Sequence, residues 1–322
     1  MTELITFGET PLRLSPPDRE RLETAREATI DADGTASNAA VAANRLGAQA
    51  LWLSKLPDTP LGRRVETELE AQGIETRIAW SDEPTHRQGL TFRESGARPR
   101  ESRQYHDRAN TAAAAATPAD FPMDRVQDTE IVFAGLATAV LSKQAAETTG
   151  ALLRAAGGSG AMAAIDLDYS EGLAPPETYQ GVLETLAGDV DVLFAGEESA
   201  RRALDRSGGP RELANTIAAE YGLEIVVIVR SDRGAVALRD SPGTNIIHER
   251  DPIDVETVDP TGRRGGVVGA FLQQLIAGAD TSDSLTHAVA AASLARTIPG
   301  PFLTAPVDEL GAVVEQVREQ SQ

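Results

Sequence analysis

The chain carries 322 residues, 41% hydrophobic and 25% charged, with 28 glycines, 18 prolines and no cysteine. That balance supports a substantial core in one large domain or two and excludes a disordered chain, a collagen-like repeat or a disulfide scaffold; without thiols, thiolate metal sites and cysteine nucleophiles drop out as well. Forty-nine acidic against 30 basic residues give a net charge of −19, with Lys55 and Lys143 the only lysines; such a field repels nucleic acid and anionic lipid and suits a surface hydrated at very high salt or, alternatively, one that meets a cationic partner.

No run approaches the roughly 18 apolar residues of a membrane span, and Met1–Thr10 leads straight into a strand, so a soluble, cytoplasmic protein is expected, with no membrane and no nucleic acid as partner. In chain order, Leu4–Phe7 reads as a buried strand, Asn38–Leu46 as a helix of small residues, Ala50–Leu56 as a strand and Leu61–Gln72 as a helix. From residue 131 the alternation becomes regular: strand Ile131–Gly135, helix Lys143–Ala156, strand Met162–Asp166, helix Tyr179–Ala187, strand Val190–Ala195, helix Pro210–Tyr221 and strand Glu224–Val229. Strands separated by helices imply right-handed crossovers and a mostly parallel sheet covered on both faces, an α/β doubly wound fold. Pro11–Asp33 and Thr85–Thr111 break the alternation: both are polar, partly alternating and without a helical stripe. We expect residues 10–34 and 86–111 to form a small β flap inserted in the one domain that spans 1–322.

Ligands of such sheets lie beyond the carboxyl ends of the strands, which makes the glycine-bearing strand-to-helix junctions the places to search. Phe7-Gly8-Glu9 reads as a turn. In Asp33-Gly34-Thr35-Ala36-Ser37-Asn38, Gly34 permits close backbone approach, while Asn38 either caps its helix or hydrogen-bonds a polyhydroxylated ligand. The tract 254–271, containing VETVDPTGRRGGVVGAF, runs from a strand-like start through Thr261-Gly262 into a helix beginning near Gly265. It is either a glycine-rich turn before a core helix or an anion site at a helix amino terminus, with Arg263 and Arg264 adding charge. Ile228-Val229-Arg230-Ser231-Asp232-Arg233-Gly234 is a further strand-to-turn junction that says little alone.

Taken in order, these segments resemble the ribokinase/PfkB family of ATP-dependent sugar kinases, and within it the 2-keto-3-deoxygluconate kinases. ITFGETPLRLSPP looks like the family's first strand and first flap strand. DGTASNAAVAANRLGA resembles its amino-terminal signature, a glycine pair followed by Asn and small residues. HDRAN stands where keto-deoxygluconate kinases have a Tyr-Asp-Arg-Ala run, and TVDPTGRRGGVVGAF lies at the second signature, D-T-T-G-A-G-D-A-F-V-G-G-F. The resemblance covers residues 3 to 315. It implies transfer of the γ-phosphoryl group of MgATP to a small-molecule sugar or sugar acid, with Mg and ATP required, and flap strands that close over the sugar and pair two subunits into a homodimer. Glu9, Gly34, Asn38, Arg87, Arg108 and Ser170 fall at substrate-binding positions. Arg230, Ser231, Gly234, Thr261, Gly262, Arg263 and Arg264 fall at nucleotide- or anion-binding ones, and Glu198 at a Mg²⁺-organising one.

Departures from the family pattern cluster in the same site. Arg263 replaces the signature's Ala, Arg264 its second Gly, and Gly265 its catalytic Asp. A bulky side chain at 264 would strain the turn if its backbone needed positive φ, and would project into the phosphate space. The sugar-acid Arg of the D-x-N-x-R segment is Ser170, the Mg²⁺-organising Asn is Ala195, and the Gly after Arg230 is Ser231. Removing a positioned base costs about 10²- to 10⁴-fold in rate. The leading expectation is therefore a catalytically impaired kinase homologue that survives as a sugar- or anion-binding regulatory protein. The alternatives are an active kinase using Asp168 or Asp259 as substitute base, or a different reaction on a similar ligand.

Overall fold

The computed structural model describes residues 2–231, 233–241 and 243–320; Asp232 of the fourth junction lies outside them. Leu4–Phe7 (β1) and Ile131–Gly135 (β8) form the middle of a nine-stranded sheet. Every residue of both strands is buried, because helices cover each face and no polar side is needed. Moving from one edge, the order is Thr244–Arg250 (β13), Ala235–Ser241 (β12), Ile225–Val229 (β11), Val192–Gly196 (β10), Met162–Asp166 (β9), β8, β1, Ala50–Pro57 (β4) and Glu75–Ser81 (β5). All neighbours from β5 to β11 run parallel, while β11–β12 and β12–β13 are antiparallel.

On one face lie the helices Thr35–Arg45 (α1), Arg263–Ile276 (α9), Thr281–Ala295 (α10) and Val307–Gln320 (α11); their buried side chains share one core cluster with Trp52, Phe133 and Phe194. Phe194 meets Phe271 edge-on, 5.4 Å between ring centres, which ties α9 to the middle of the sheet. Lys143–Ser159 (α5), Pro176–Leu186 (α6) and Pro210–Tyr221 (α8) cover the other face around Leu153, Leu183 and Ile217. The remaining helices are Pro60–Glu70 (α2), Met123–Gln127 (α3), Leu136–Ala139 (α4) and Glu197–Ala203 (α7). Among the described residues no helix is long and apolar enough to cross a membrane.

Leu12–Ser15 (β2), Thr29–Ala32 (β3), Leu90–Glu94 (β6) and Arg103–Asp107 (β7) make a separate four-stranded sheet in the order β3-β2-β6-β7. All four strands fall in the two segments that interrupt the βα alternation. The lid strands alternate: Arg13, Thr91, Arg93 and His106 lie on the side toward the body, while Leu12, Leu14, Ile30, Ala32, Phe92 and Tyr105 share the other face, which is buried at Leu12 and Ala32 and opens at Ile30 and Tyr105, 36% and 49% exposed.

Two helix starts differ from the sequence reading. Helix α1 begins at Thr35 with Gly34 as its cap, so Asn38 sits inside the helix, its N–H donating to the Gly34 carbonyl at 2.8 Å; Asn38 is not a capping residue. Gly34 sets that start, since a Cβ there would lie 2.6 Å from the Glu9 carbonyl oxygen. Helix α9 begins at Arg263 and not near Gly265, and Arg264 is an ordinary helical residue outside the positive-φ set, so the expected turn strain is absent.

Helices α1 and α9 pack unusually closely through small residues. A Cβ on Gly265 would stand 2.5 Å from the Asn38 Cβ, and one on Gly269 would stand 2.5 Å from the Ala39 carbonyl oxygen. Contacts that short force movement, so the glycines and the alanine-rich face of α1 together fix the helix separation.

Candidate functional site

Between the lid and the carboxyl ends of β1, β8 and β9 lies a cleft of about 950 Å³. The sequence-derived residues Glu9, Gly34, Asn38, Arg108, Asp168, Ser170, Thr261, Arg263, Arg264 and Gly265 all line it. Asp33, Thr35, Arg93, Arg103, His106 and Arg202, which the sequence reading did not assign, join them. Six arginines therefore face one cleft in a chain of net charge −19.

At the body side, Arg264 reaches from the first turn of α9 to the end of β9 and grips the Asp166 carboxylate with two donors, with Asp168 3.9 Å away. Asp166 is fully buried and Arg264 one quarter exposed. Burial disfavours the guanidinium charge, but the Asp166 carboxylate outweighs it and holds Arg264 protonated well above its usual range. The side chain that was expected to fill the phosphate space is thus drawn sideways onto the strand end. Asp168 lines the cleft with φ of 36°, a left-handed conformation uncommon for a non-glycine residue, and accepts a 2.5 Å hydrogen bond from Thr35 Oγ1.

Under the lid, Arg13 of β2 donates to Asp31 at 2.9 Å and Asp33 at 3.1 Å, and Asn38 Nδ2 donates to Asp33 at 2.8 Å. Burial pushes the Asp33 carboxyl up, and Arg13, Asn38 and Arg93 only partly offset this. Spending its amide donor on Asp33 leaves the Asn38 Oδ1 buried without a protein partner. Arg93 of β6 contacts Thr261 and stands 3.8 Å from Asp259, tying the lid to the turn before α9. Asp259 itself closes that turn, accepting from Thr261 N at 2.9 Å, Thr261 Oγ1 at 2.5 Å and Gly300 N at 3.1 Å. Burial works against its charge, yet the three donors hold its carboxyl below the usual carboxylate range.

Arg108 and Glu9 form a buried ion pair at 2.5 Å, their side chains 7% and 2% exposed. His106, from β7, meets Ser170 Oγ at 2.7 Å and Thr91 Oγ1 at 3.3 Å. Burial and then Arg108 lower its pKa to about 4, so the ring is neutral near pH 7.

Other assigned residues fall elsewhere. Arg87 pairs with Asp107 on the outer lid and is half exposed, so it does not face the cleft as a substrate ligand. Arg230 is 8% exposed and is consumed by Glu249 at 2.5 Å and Asp251 at 3.1 Å, which corrects its assignment to an anion site. Glu198 is 76% exposed and paired with Arg201 at 2.6 Å, and it is not among the residues that line the cleft. Ser231, at φ 55°, and Gly234 line a separate slot of only about 10 Å³ against Arg263 and Val267. Gly262 caps α9, backed by the Pro301 carbonyl.

Asp33 precedes the signature glycine in plain view, yet nothing in the sequence shows that Arg13 and Arg93 converge on it from two lid strands. The His106–Ser170 contact depends on the lid's position over β9, which short alternating segments do not encode.

The pfkB family carbohydrate kinase model matches residues 1–307. A 2-dehydro-3-deoxygalactonokinase from Haloferax volcanii is 41% identical over 97% of this chain and 96% of its own length. A 5-dehydro-2-deoxygluconokinase from Bacillus subtilis is 21% identical over 91% of this chain and 89% of its own. Among solved structures, a 2-dehydro-3-deoxygluconokinase from Thermotoga maritima superposes with a TM-score of 0.85 at 27% identity, over 98% of this chain and all of that one. An uncharacterised sugar kinase from Pyrococcus horikoshii in complex with ATP superposes at 0.80 with 20% identity, over 98% of this chain and 99% of that one, which speaks to the fold. A lid of four strands over the carboxyl edge of a mostly parallel sheet, two signature segments in register and a match along most of the chain lead to one conclusion: the protein belongs to the pfkB family of carbohydrate kinases and has the ribokinase-like fold.

Proposed function

We propose that the cleft takes a 2-keto-3-deoxy sugar acid and that phosphoryl transfer to it from MgATP is slow. The ligand class is supported by the Haloferax and Thermotoga relatives, whose substrates are sugar acids of this kind, and by the arginines around the cleft. With Arg108 and Arg202 paired to Glu9 and Glu171, Arg103 supplies charge for a carboxylate, while the buried Asn38 Oδ1 is an acceptor that a sugar hydroxyl satisfies.

The observation that carries the slow transfer is the packing at Gly265. Gly265 brings no carboxylate, and a Cβ there would stand 2.5 Å from the Asn38 Cβ, so α1 packs against the backbone at the point where the family's Asp side chain begins. Arg264 and Ser231 stand where the family pattern carries glycines beside the phosphates, which supports weak nucleotide affinity. Ile30 and Tyr105 on the outer lid support a lid-to-lid homodimer.

Calorimetry at molar salt tests the ligand, with 2-keto-3-deoxygluconate and 2-keto-3-deoxygalactonate as probes; no heat from either defeats the sugar-acid reading. A coupled assay of ADP release under the same conditions tests the rate. Turnover of about 10 s⁻¹, the median for enzymes, with micromolar MgATP affinity would overturn slow transfer.

A further inference from the structure

We infer that the carboxylate of the sugar acid is recognised from the lid, by Arg103 of β7, and that this contact sets a preference for an acid over a neutral sugar. The inference deepens the sugar-acid reading of the cleft and rests on it. Position 170, where the resemblance places the arginine for the acid group, holds a serine. Its hydroxyl meets His106 Nε2 at 2.7 Å, so the body wall offers a neutral and already bonded group there. The cation has to come from elsewhere.

The other arginines of the cleft are engaged. Arg264 grips Asp166, Arg108 is locked to Glu9 in a buried pair, Arg202 pairs with Glu171, and Arg93 is spent on Thr261 beside Asp259. Arg263 is engaged as well. Arg103 differs, making no hydrogen bond or ion pair with a described residue. Two acids could have neutralised it, and both are taken. Glu94, its cross-strand neighbour in β6, accepts from Arg100 at 3.0 Å and from the Leu22 N–H at 3.0 Å. Glu171, in the loop beneath β7, is held by Arg202. In a chain of 49 acidic and 30 basic residues, a cation left unpaired at the mouth of a cleft is available to an anion that the ligand brings.

Its place follows from the packing of β7 on the loop after β9. His106 reaches Ser170, and a Cβ on Gly172 would stand 3.3 Å from His106 Cδ2 and 3.8 Å from the Gln104 carbonyl oxygen. Gly172 therefore lets the strand settle onto the loop, which sets Arg103, the next residue along, over the same stretch of wall as Ser170. The Arg103 side chain lines the cleft and also the hollow beside Tyr105 on the lid's other face, which puts it on the rim. A guanidinium there presents paired N–H donors to a carboxylate, and because it belongs to the lid, the acid draws the lid toward the body as it binds. A ligand without the carboxylate exerts no such pull.

The test compares the intact chain with Arg103→Gln, Arg103→Lys, Arg93→Ala and Arg202→Gln by calorimetry at molar salt, where charges beyond contact are screened. The probes are 2-keto-3-deoxygluconate and 2-keto-3-deoxygalactonate, each against the neutral 3-deoxyketose that carries a hydroxymethyl group in place of the carboxylate. Arg103 is exposed and supports no neighbour, so its variants are expected to melt with the intact chain. The intact chain is expected to prefer the acid by at least about 10-fold, and Arg103→Gln to cut that preference to about threefold or less by weakening the acid alone. Arg103→Lys keeps part of it, because an ammonium supplies charge without the fork. Arg93→Ala loosens the lid and weakens both probes together, so the preference survives. The assignment is overturned if Arg103→Gln keeps the intact chain's preference, if it weakens acid and ketose in proportion, or if Arg202→Gln removes the preference instead. Those outcomes leave the sugar-acid reading standing, whereas an intact chain that binds neither acid, or binds the ketose as tightly, defeats that reading and this assignment with it.

Discussion

Gly265 is the residue at which family membership and local packing part. Adding only the carboxylate, as in Gly265→Asp, drives a Cβ to 2.5 Å from Asn38 and 3.0 Å from the Asn38 carbonyl carbon. The expected outcome is a loss of about 1 to 3 kcal/mol in stability with no gain in ADP release. Adding Arg264→Gly frees Asp166 but leaves α1 in place, so the double variant is expected to stay inactive too. Arg264→Ala alone strips a fully buried carboxylate of its partner, and denaturant melts are expected to show a loss of about 3 kcal/mol. Much of this site is visible as residue substitutions: Gly at 265 and Arg at 264 stand out against the second signature. What cannot be seen in the string is where Arg264 points. The expectation of a strained turn assumed positive φ, and the helix simply starts two residues earlier than the glycines suggest.

Among the elements, the lid holds the two contacts that set its position. Arg93 ties β6 to Thr261, and His106 ties β7 to Ser170. Arg93→Ala is expected to weaken sugar-acid affinity severalfold while changing the melting temperature little, because the side chain joins lid to body and supports neither core. The His106 contact is acid-sensitive. Its folded pKa of about 4 lies below the ordinary histidine value, so the folded state binds fewer protons than the unfolded state between pH 6.5 and 4. Stability from this group is complete above about pH 6.5 and falls as the pH drops through that window; His106→Gln should remove that part of the slope in melts taken from pH 7 to 4.5. Periodicity revealed the strands β1, β4, β8, β9, β10 and β11, since each is buried on both faces and bounded by a helix. It gave no prediction for β12, whose buried start Ala235–Leu238 carries small residues and follows β11 by a short turn without an intervening helix, for β13, a polar strand on the exposed sheet edge, or for α10, whose buried residues surround the helix and leave no single stripe.

Across the whole molecule, 49 acidic residues against 30 basic ones make self-repulsion the dominant long-range term. Raising KCl from 0.1 to 2 M is expected to raise the melting temperature, since the Debye length falls from about 10 Å to below 3 Å. A melting temperature that is flat or falling over that range would assign the acidic surface to a partner instead of to hydration.

The arginine-lined cleft sits inside that negative envelope, and this arrangement has a kinetic consequence. An anionic ligand approaching from a distance meets a repulsive field, and feels the attraction of Arg93, Arg103, Arg108, Arg202, Arg263 and Arg264 only within the last few ångströms. Salt therefore acts on the two halves of the encounter unequally: it erases the distant barrier, while the partly desolvated contacts within the cleft are screened much less. Most proteins that capture anions do so fastest in dilute buffer. Here the association rate constant of a sugar acid, followed by stopped-flow, should climb with ionic strength while the dissociation rate changes less, so that the door opens wider in brine.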